Sequence, residues 1–212
     1  SANATIDNGT TALNIAASTI GGNLIVRAGD SITDSGVITV GGTASFITDT
    51  SDKLITLNSQ NAITGQVTFD TTSTGGDVTI DNGTTAISLG TIASGAIGGD
   101  LTLLTDADQT ISNAITLGGS GAELSITVDN ANSLTVQVAL TTNAGAITLS
   151  ADDDVIFTAA GDLISTNGNI SVSADDDATS DAGSGGALTM VDGTVFNAGS
   201  GTVTVSADEN IT

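Results

Sequence analysis

The chain has 212 residues, a net charge of −22, two basic residues and no Cys, His, Pro, Trp or Tyr. Hydrophobic residues make up 39 % and the mean hydropathy is +0.28, which argues for a packed core rather than an acidic disordered tail. With only Arg27 and Lys53 to neutralise phosphate, the composition rules against nucleic acid as a partner and opposes binding to anionic membrane surfaces. The lack of Cys and His removes disulfides, thiolate chemistry, Cys-ligated zinc and a Ser–His triad.

The first apolar–polar alternation is Ala4-Thr-Ile6, inside the octapeptide Thr5-Ile-Asp-Asn-Gly-Thr-Thr-Ala12. That octapeptide returns unchanged at Thr79–Ala86, 74 residues on. Behind it, Ile20-Gly-Gly-Asn-Leu24 answers Ile97-Gly-Gly-Asp-Leu101 at an offset of 77, which reads as a loop insertion. Ala4, Leu24 and Ala44 are spaced by 20, and a longer step of 34 residues leads to Val78. From there the spacing is constant: Val78, Leu101, Leu124, Ile147 and Ile170 each lie 23 residues apart, with Leu188 and Val203 closing the chain.

Each period holds three short strands separated by turns rich in Gly, Asn, Asp and Ser. From Leu101 these are 101–104, 110–112 and 114–117; from Leu124 they are 124–128, 134–136 and 138–140. No apolar period of 3.6 residues is long enough for a helix, and no apolar run approaches the length of a membrane span. A four-residue strand with one apolar face is unstable alone. Stacking copies at roughly 4.8 Å pairs each strand with its equivalents above and below and closes a dry core. The spacing therefore predicts an all-β fold: a right-handed parallel β-helix, or β-solenoid, roughly triangular, with three strands per rung of about 20–23 residues. About nine rungs fit within a single segment, 1–212. An antiparallel sandwich also has short strands but does not explain a constant step of 23. Val78, Leu101, Leu124, Ile147 and Ile170 are expected one above another with side chains inward, and Phe46 and Phe157 in wider parts of the interior.

The segments Gly21-Gly-Asn-Leu-Ile-Val-Arg-Ala-Gly-Asp30, Gly98-Gly-Asp-Leu-Thr-Leu103 and Ala144-Gly-Ala-Ile-Thr-Leu-Ser-Ala151 resemble the repeats of filamentous-haemagglutinin-type giant bacterial exoproteins. The resemblance covers nearly the whole chain, through degenerate motifs. It implies export to the bacterial surface or beyond and a long β-helical shaft. It also implies a role in adhesion, biofilm or contact with host cells or matrix. Rungs of 20 to 23 residues, with one of about 34 from Ala44 to Val78, depart from that pattern, and the amino-terminal secretion cap of such proteins is not expected within this stretch. The chain begins at Ser1 without Met, which reads as a piece of something longer. Both ends are ordinary repeat, so further copies or flanking repeats are expected end to end.

One set of residues is a candidate site. Five positions past successive strand starts stand Asp106, Asp129, Asp152 and Asp175, and Asp208 counting from Val203. The triplets Asp152, Asp153, Asp154 and Asp175, Asp176, Asp177 are thus one rung apart. Stacked carboxylates about 5 Å apart either splay into solvent or collect divalent cations, Ca²⁺ above all. Gly118–Ile126 matches a calcium-binding nonapeptide, with Glu123 in place of Asp, but sites of that kind need tandem copies and here there is one, so it reads as a Gly-rich turn before a strand. Thr102, Ser125, Thr148 and Ser171 are expected on the outer surface. Clustered carboxylates could serve polysaccharide cleavage. Without an aromatic platform, and with Arg27 and Lys53 far away in sequence, a non-catalytic structural or adhesive shaft is expected. The alternative is a calcium-stabilised surface-layer or matrix module.

Overall fold

The computed structural model describes residues 2–72, 75–175 and 186–212. All regular structure among them is β-strand. Every strand pair is parallel, and each strand meets its partners one rung away. The longest sheet runs the length of the rod with nine strands: Leu13–Ile15, Ile32–Asp34, Ile55–Leu57, Val78–Asp81, Leu101–Thr105, Leu124–Val128, Ile147–Ala151, Ile170–Ala174 and Val203–Ser206. In it Val78 faces Leu101, Leu101 faces Leu124, Leu124 faces Ile147 and Ile147 faces Ile170, as the 23-residue step requires. The alternation of β-structure turns all five side chains into a core where each is at most 1 % exposed.

Two further faces complete the rung. In the first part of the rod, Ala4–Asp7, Leu24–Ala28, Ala44–Thr48 and Val67–Asp70 form one, and Ser18–Ile20, Ile38–Val40 and Ala62–Ile63 the other. Beyond the middle, Gln109–Ile111, Leu134–Val136, Val155–Phe157 and Leu188–Met190 form one sheet. Ile115–Ser120, Leu140–Asn143, Leu163–Ser165 and Phe196–Asn197 form the other.

This topology corrects the 34-residue rung. Ala44 pairs with Val67, and Val78 pairs with Ile55, each 23 residues apart. Ala4, Leu24 and Ala44 therefore stand on one face and Val78, Leu101 and their successors on the next. The apparent long rung is one ordinary rung plus a step to the neighbouring face. The same shift explains the octapeptide offset of 74. Both copies end a strand and make the same turn: the Asp7 and Asp81 carboxylates accept from the N–H of Gly9 and Gly83 at 2.9 Å. These glycines have φ of 59° and 52°, where a Cβ would be strained. The two copies nevertheless lie in different sheets. Other differences are of register: in the rung of Leu124 the third strand begins at Leu140, not Val138, and that of the rung before runs to Ser120 through an irregularity.

The core is aliphatic, with Phe46 and Phe157 its largest fully buried side chains. Phe46 stacks on Phe69 one rung on at 5.9 Å, and Phe157 meets Phe196 edge-on at 4.8 Å. Val203, in the last strand of the long sheet, is 46 % exposed.

Candidate functional site: the acidic corners

Asp106, Asp129, Asp152 and Asp175 each follow a strand of the long sheet, whose last residues Thr105, Val128, Ala151 and Ala174 are in register. The Asp129 N–H donates to Thr105 O and the Asp152 N–H to Val128 O, both at 2.9 Å, so the backbone ladder continues into the corner. At Asp175 it steps sideways, its N–H donating to Asp153 O at 3.3 Å. All six described candidates are half-buried. Asp176 and Asp177 lie outside the described residues.

The corner carboxylates are tied to neighbouring rungs. Asp152 Oδ2 accepts from the Asn130 N–H at 2.6 Å. Asp153 Oδ2 accepts from the Ser133 hydroxyl at 3.0 Å, and Asp154 Oδ1 from the Ala187 N–H at 2.9 Å. Ca²⁺ asks for six to eight oxygens around one point. Among the described residues no group of three or more acidic side chains is placed to hold a metal ion. Glu123 of the nonapeptide is exposed and sits between the turn at Gly121 and the strand Leu124–Val128; its N–H donates to Asp100.

A wider pattern accounts for Asp154. The residue immediately before a strand is repeatedly Asp or Asn, and its Oδ1 accepts the N–H of the pre-strand residue one rung further on. Asn3 accepts from Asn23 and Asn23 from Thr43, at 2.9 and 3.1 Å. Asp77 accepts from Asp100 and Asp100 from Glu123, at 2.9 and 2.8 Å. Asp108, Asp162 and Asn169 do the same for Ser133, Val195 and Thr202 at 2.9–3.0 Å. A pre-strand N–H at a corner has left the sheet ladder, and a carboxylate or amide oxygen replaces the missing carbonyl. The sequence signal was available: Asp77 and Asp100 are 23 apart, Asn3 and Asn23 are 20 apart, and each stands one residue before an apolar strand start.

Buried polar residues form a second set that sequence reasoning missed. Asn61, Asn82 and Gln109 are each at most 1 % exposed. Their side-chain amides reach back to Ile38, Ile63 and Ile87 of the preceding rung. Asp34, also buried, accepts from the N–H groups of Asn58 and Ser59, the Ser59 hydroxyl and Asn61 Nδ2. Only the Asn82 position carried a hint, as part of the repeated octapeptide. Beside Gln109 is an open recess of about 360 Å³, with Thr64, Thr85, Ser88, Asp108, Thr110 and Ser112 in its lining.

Both cations bind the second rung to the third. The Arg27 guanidinium grips Asp49 through two nitrogens at 2.7 Å, and Lys53 Nζ lies 3.2 Å from Asp30. The Asp49 carboxylate raises the Arg27 pKa further. The Asp30 carboxyl is held below its usual value, first by the Ser31 N–H and then by Lys53.

Residues 1–70 match the model of a family described as repeats of unknown function (DUF5649). No curated protein and no solved structure matches the chain. The match and the rung stack together describe a repeat β-helical protein. No helix among the described residues is long and apolar enough to cross a membrane.

Proposed function

We propose that this chain is a structural shaft segment of a secreted or surface-exposed bacterial protein or extracellular filament, of the filamentous-haemagglutinin type, and that it has no catalytic role. The observation that carries this reading is the nine-strand sheet, in which one inward column of aliphatic side chains runs through consecutive rungs without a break. Such a stack resists extension because the long sheet ties each rung to the next, and on either side of the middle the other two faces do so as well. The polar investment supports the same reading. Pre-strand carboxylates, buried amides and both cations all bind one rung to another, rather than converging on a point where a substrate could sit. A Cys-free, acidic, Thr-rich composition suits an exported chain, and flanking rungs of like sequence are the partners a shaft of this kind would meet end to end.

The test is force spectroscopy on the chain held at its two ends, beside an assay for cleavage of a panel of bacterial and host polysaccharides. A shaft gives a rod that resists unfolding at forces well above those needed to stretch an unfolded chain, and no turnover. Extension at negligible force, or saccharide cleavage lost on mutating Asp152 and Asp153, would overturn it.

A further inference from the structure

Midway along the rod only one sheet is continuous. Val78–Asp81 pairs with Ile55–Leu57 on one side and with Leu101–Thr105 on the other. The other two faces are broken at that level. One ends at Val67–Asp70 and its counterpart starts at Ile115–Ser120; the other ends at Ala62–Ile63 and resumes at Gln109–Ile111.

Between these ends the ladders thin to single contacts. Val67 meets Leu89 from above, and Ile115 meets Ile92 from below. The two contacts are three residues apart, so the chain steps sideways between them. On the third face, side chains replace the backbone ladder. Asn82 Nδ2 donates to Ile63 O at 3.1 Å and Oδ1 accepts from the Ile63 N–H at 2.9 Å. Gln109 repeats the arrangement on Ile87, at 2.9 and 2.7 Å. The recess lies at this gap, and the match to the repeat family also ends at residue 70.

We propose that the rod is two rung stacks joined through one continuous sheet, and that residues 85–97 form a seam which opens before either stack does. In the closed state Ile87, Leu89, Ile92 and Ile97 are buried in the common core, so the seam is held shut by packing. Opening it breaks few backbone hydrogen bonds, whereas opening a rung within either stack breaks ladders on three faces. Regions with few ladder bonds are those that open locally at the lowest free energy. The inference does not rest on the shaft reading, because it concerns which segment opens first and not what the rod is for.

Hydrogen–deuterium exchange on the full chain tests it. The expected result is exchange in residues 85–97 at least tenfold faster than in strands Leu124–Val128 and Ile147–Ala151, with Val78–Asp81 and Leu101–Thr105 remaining in the slow class. Gln109→Leu keeps the volume, removes the amide, and should accelerate exchange at 85–97 further while leaving Ile147–Ala151 unchanged. Two outcomes overturn the proposal: exchange at 85–97 as slow as in those two strands, or loss of protection in Val78–Asp81 together with the seam.

Discussion

Asp77 Oδ1 accepts the backbone N–H of Asp100 at 2.9 Å, although the two residues are 23 apart and both carry negative charge. Asp100 in turn accepts from Glu123 at 2.8 Å. Three acidic residues in successive rungs thus follow one another at the same corner, each bound through its backbone to the one before. The N–H dipoles aimed at the Asp77 and Asp100 carboxylates offset part of the repulsion that stacking would otherwise impose.

Removing one such acceptor should be measurable. Asp100→Ala leaves the Glu123 N–H without its protein partner. A hydrogen bond to a charged group contributes about 1.5–3 kcal/mol, and the half-exposed setting reduces this to roughly 1 kcal/mol. Asp100→Asn should retain nearly all of it, since Asn3 and Asn23 hold the same position with an amide oxygen. Urea midpoints of the two variants decide the matter: equal losses would mean the acceptor oxygen is not what stabilises the corner.

The core column responds differently. Leu124 is 1 % exposed between Leu101 and Ile147. Leu124→Asp places an unpaired carboxylate in an aliphatic stack, at a cost of several kcal/mol. A thermal melt superimposable on the parent's would show that this column is not the core.

Glycines at the corner that leads into the long sheet are expected to be intolerant. A Cβ on Gly145 would overlap the Ala122 carbonyl oxygen, and one on Gly168 the Gly145 oxygen, so these backbones pass too closely for any side chain. Gly121, at φ +79°, has open space where its Cβ would be. Gly121→Ala should therefore cost only the left-handed backbone term, about 1 kcal/mol, and Gly145→Ala more, at the upper end of the 1–3 kcal/mol typical of overpacking. Denaturation midpoints in the reverse order would contradict the close approach.

Stability should depend on pH through Asp30. Its carboxyl is held below the usual value by the Ser31 N–H and by Lys53. A carboxylate whose folded pKa is depressed stabilises the fold above its unfolded pKa of about 3.9. That contribution is lost as pH falls through the lower folded value. Asp30→Ala should thus be less stable than the parent at pH 7, with the gap closing below about pH 4 and shrinking in high salt. A gap independent of pH would assign the effect to something other than the charge.

The sequence carried the fold because a constant step of 23 has a simple physical cause: strands of one sheet must be in register, and their inward residues must be apolar. It misled at Ala44–Val78, because apolar alternation marks a strand but not the face on which the strand lies. Ala4 and Val78 look alike locally and occupy different sheets. The acidic residues were visible as a register, yet the N–H groups they accept belong to residues of no distinctive type, such as Ser133, Ala187 and Val195. Buried amides were harder still. Nothing beside Gln109 marks it as inward-facing, because its partner is the backbone of Ile87, 22 residues earlier.

The octapeptide offers an internal control on that last point. Asn8 and Asn82 stand at the same place in identical sequence, and both side-chain amides donate to the carbonyls three and four residues on. Asn82 is fully buried and also exchanges two bonds with Ile63 of the preceding rung; Asn8, in the first rung, is half-buried. Asn82→Ala strands several buried backbone groups at about 1–3 kcal/mol each, partly relieved by relaxation, for a loss of roughly 3 kcal/mol or more. Asn8→Ala frees groups that water can reach, and should cost about 1 kcal/mol. Chemical denaturation of the two single variants and the double variant measures both terms, which should add because the sites share no partner. Equal losses at the two positions would show that the local turn, and not the contact between rungs, is what these asparagines stabilise.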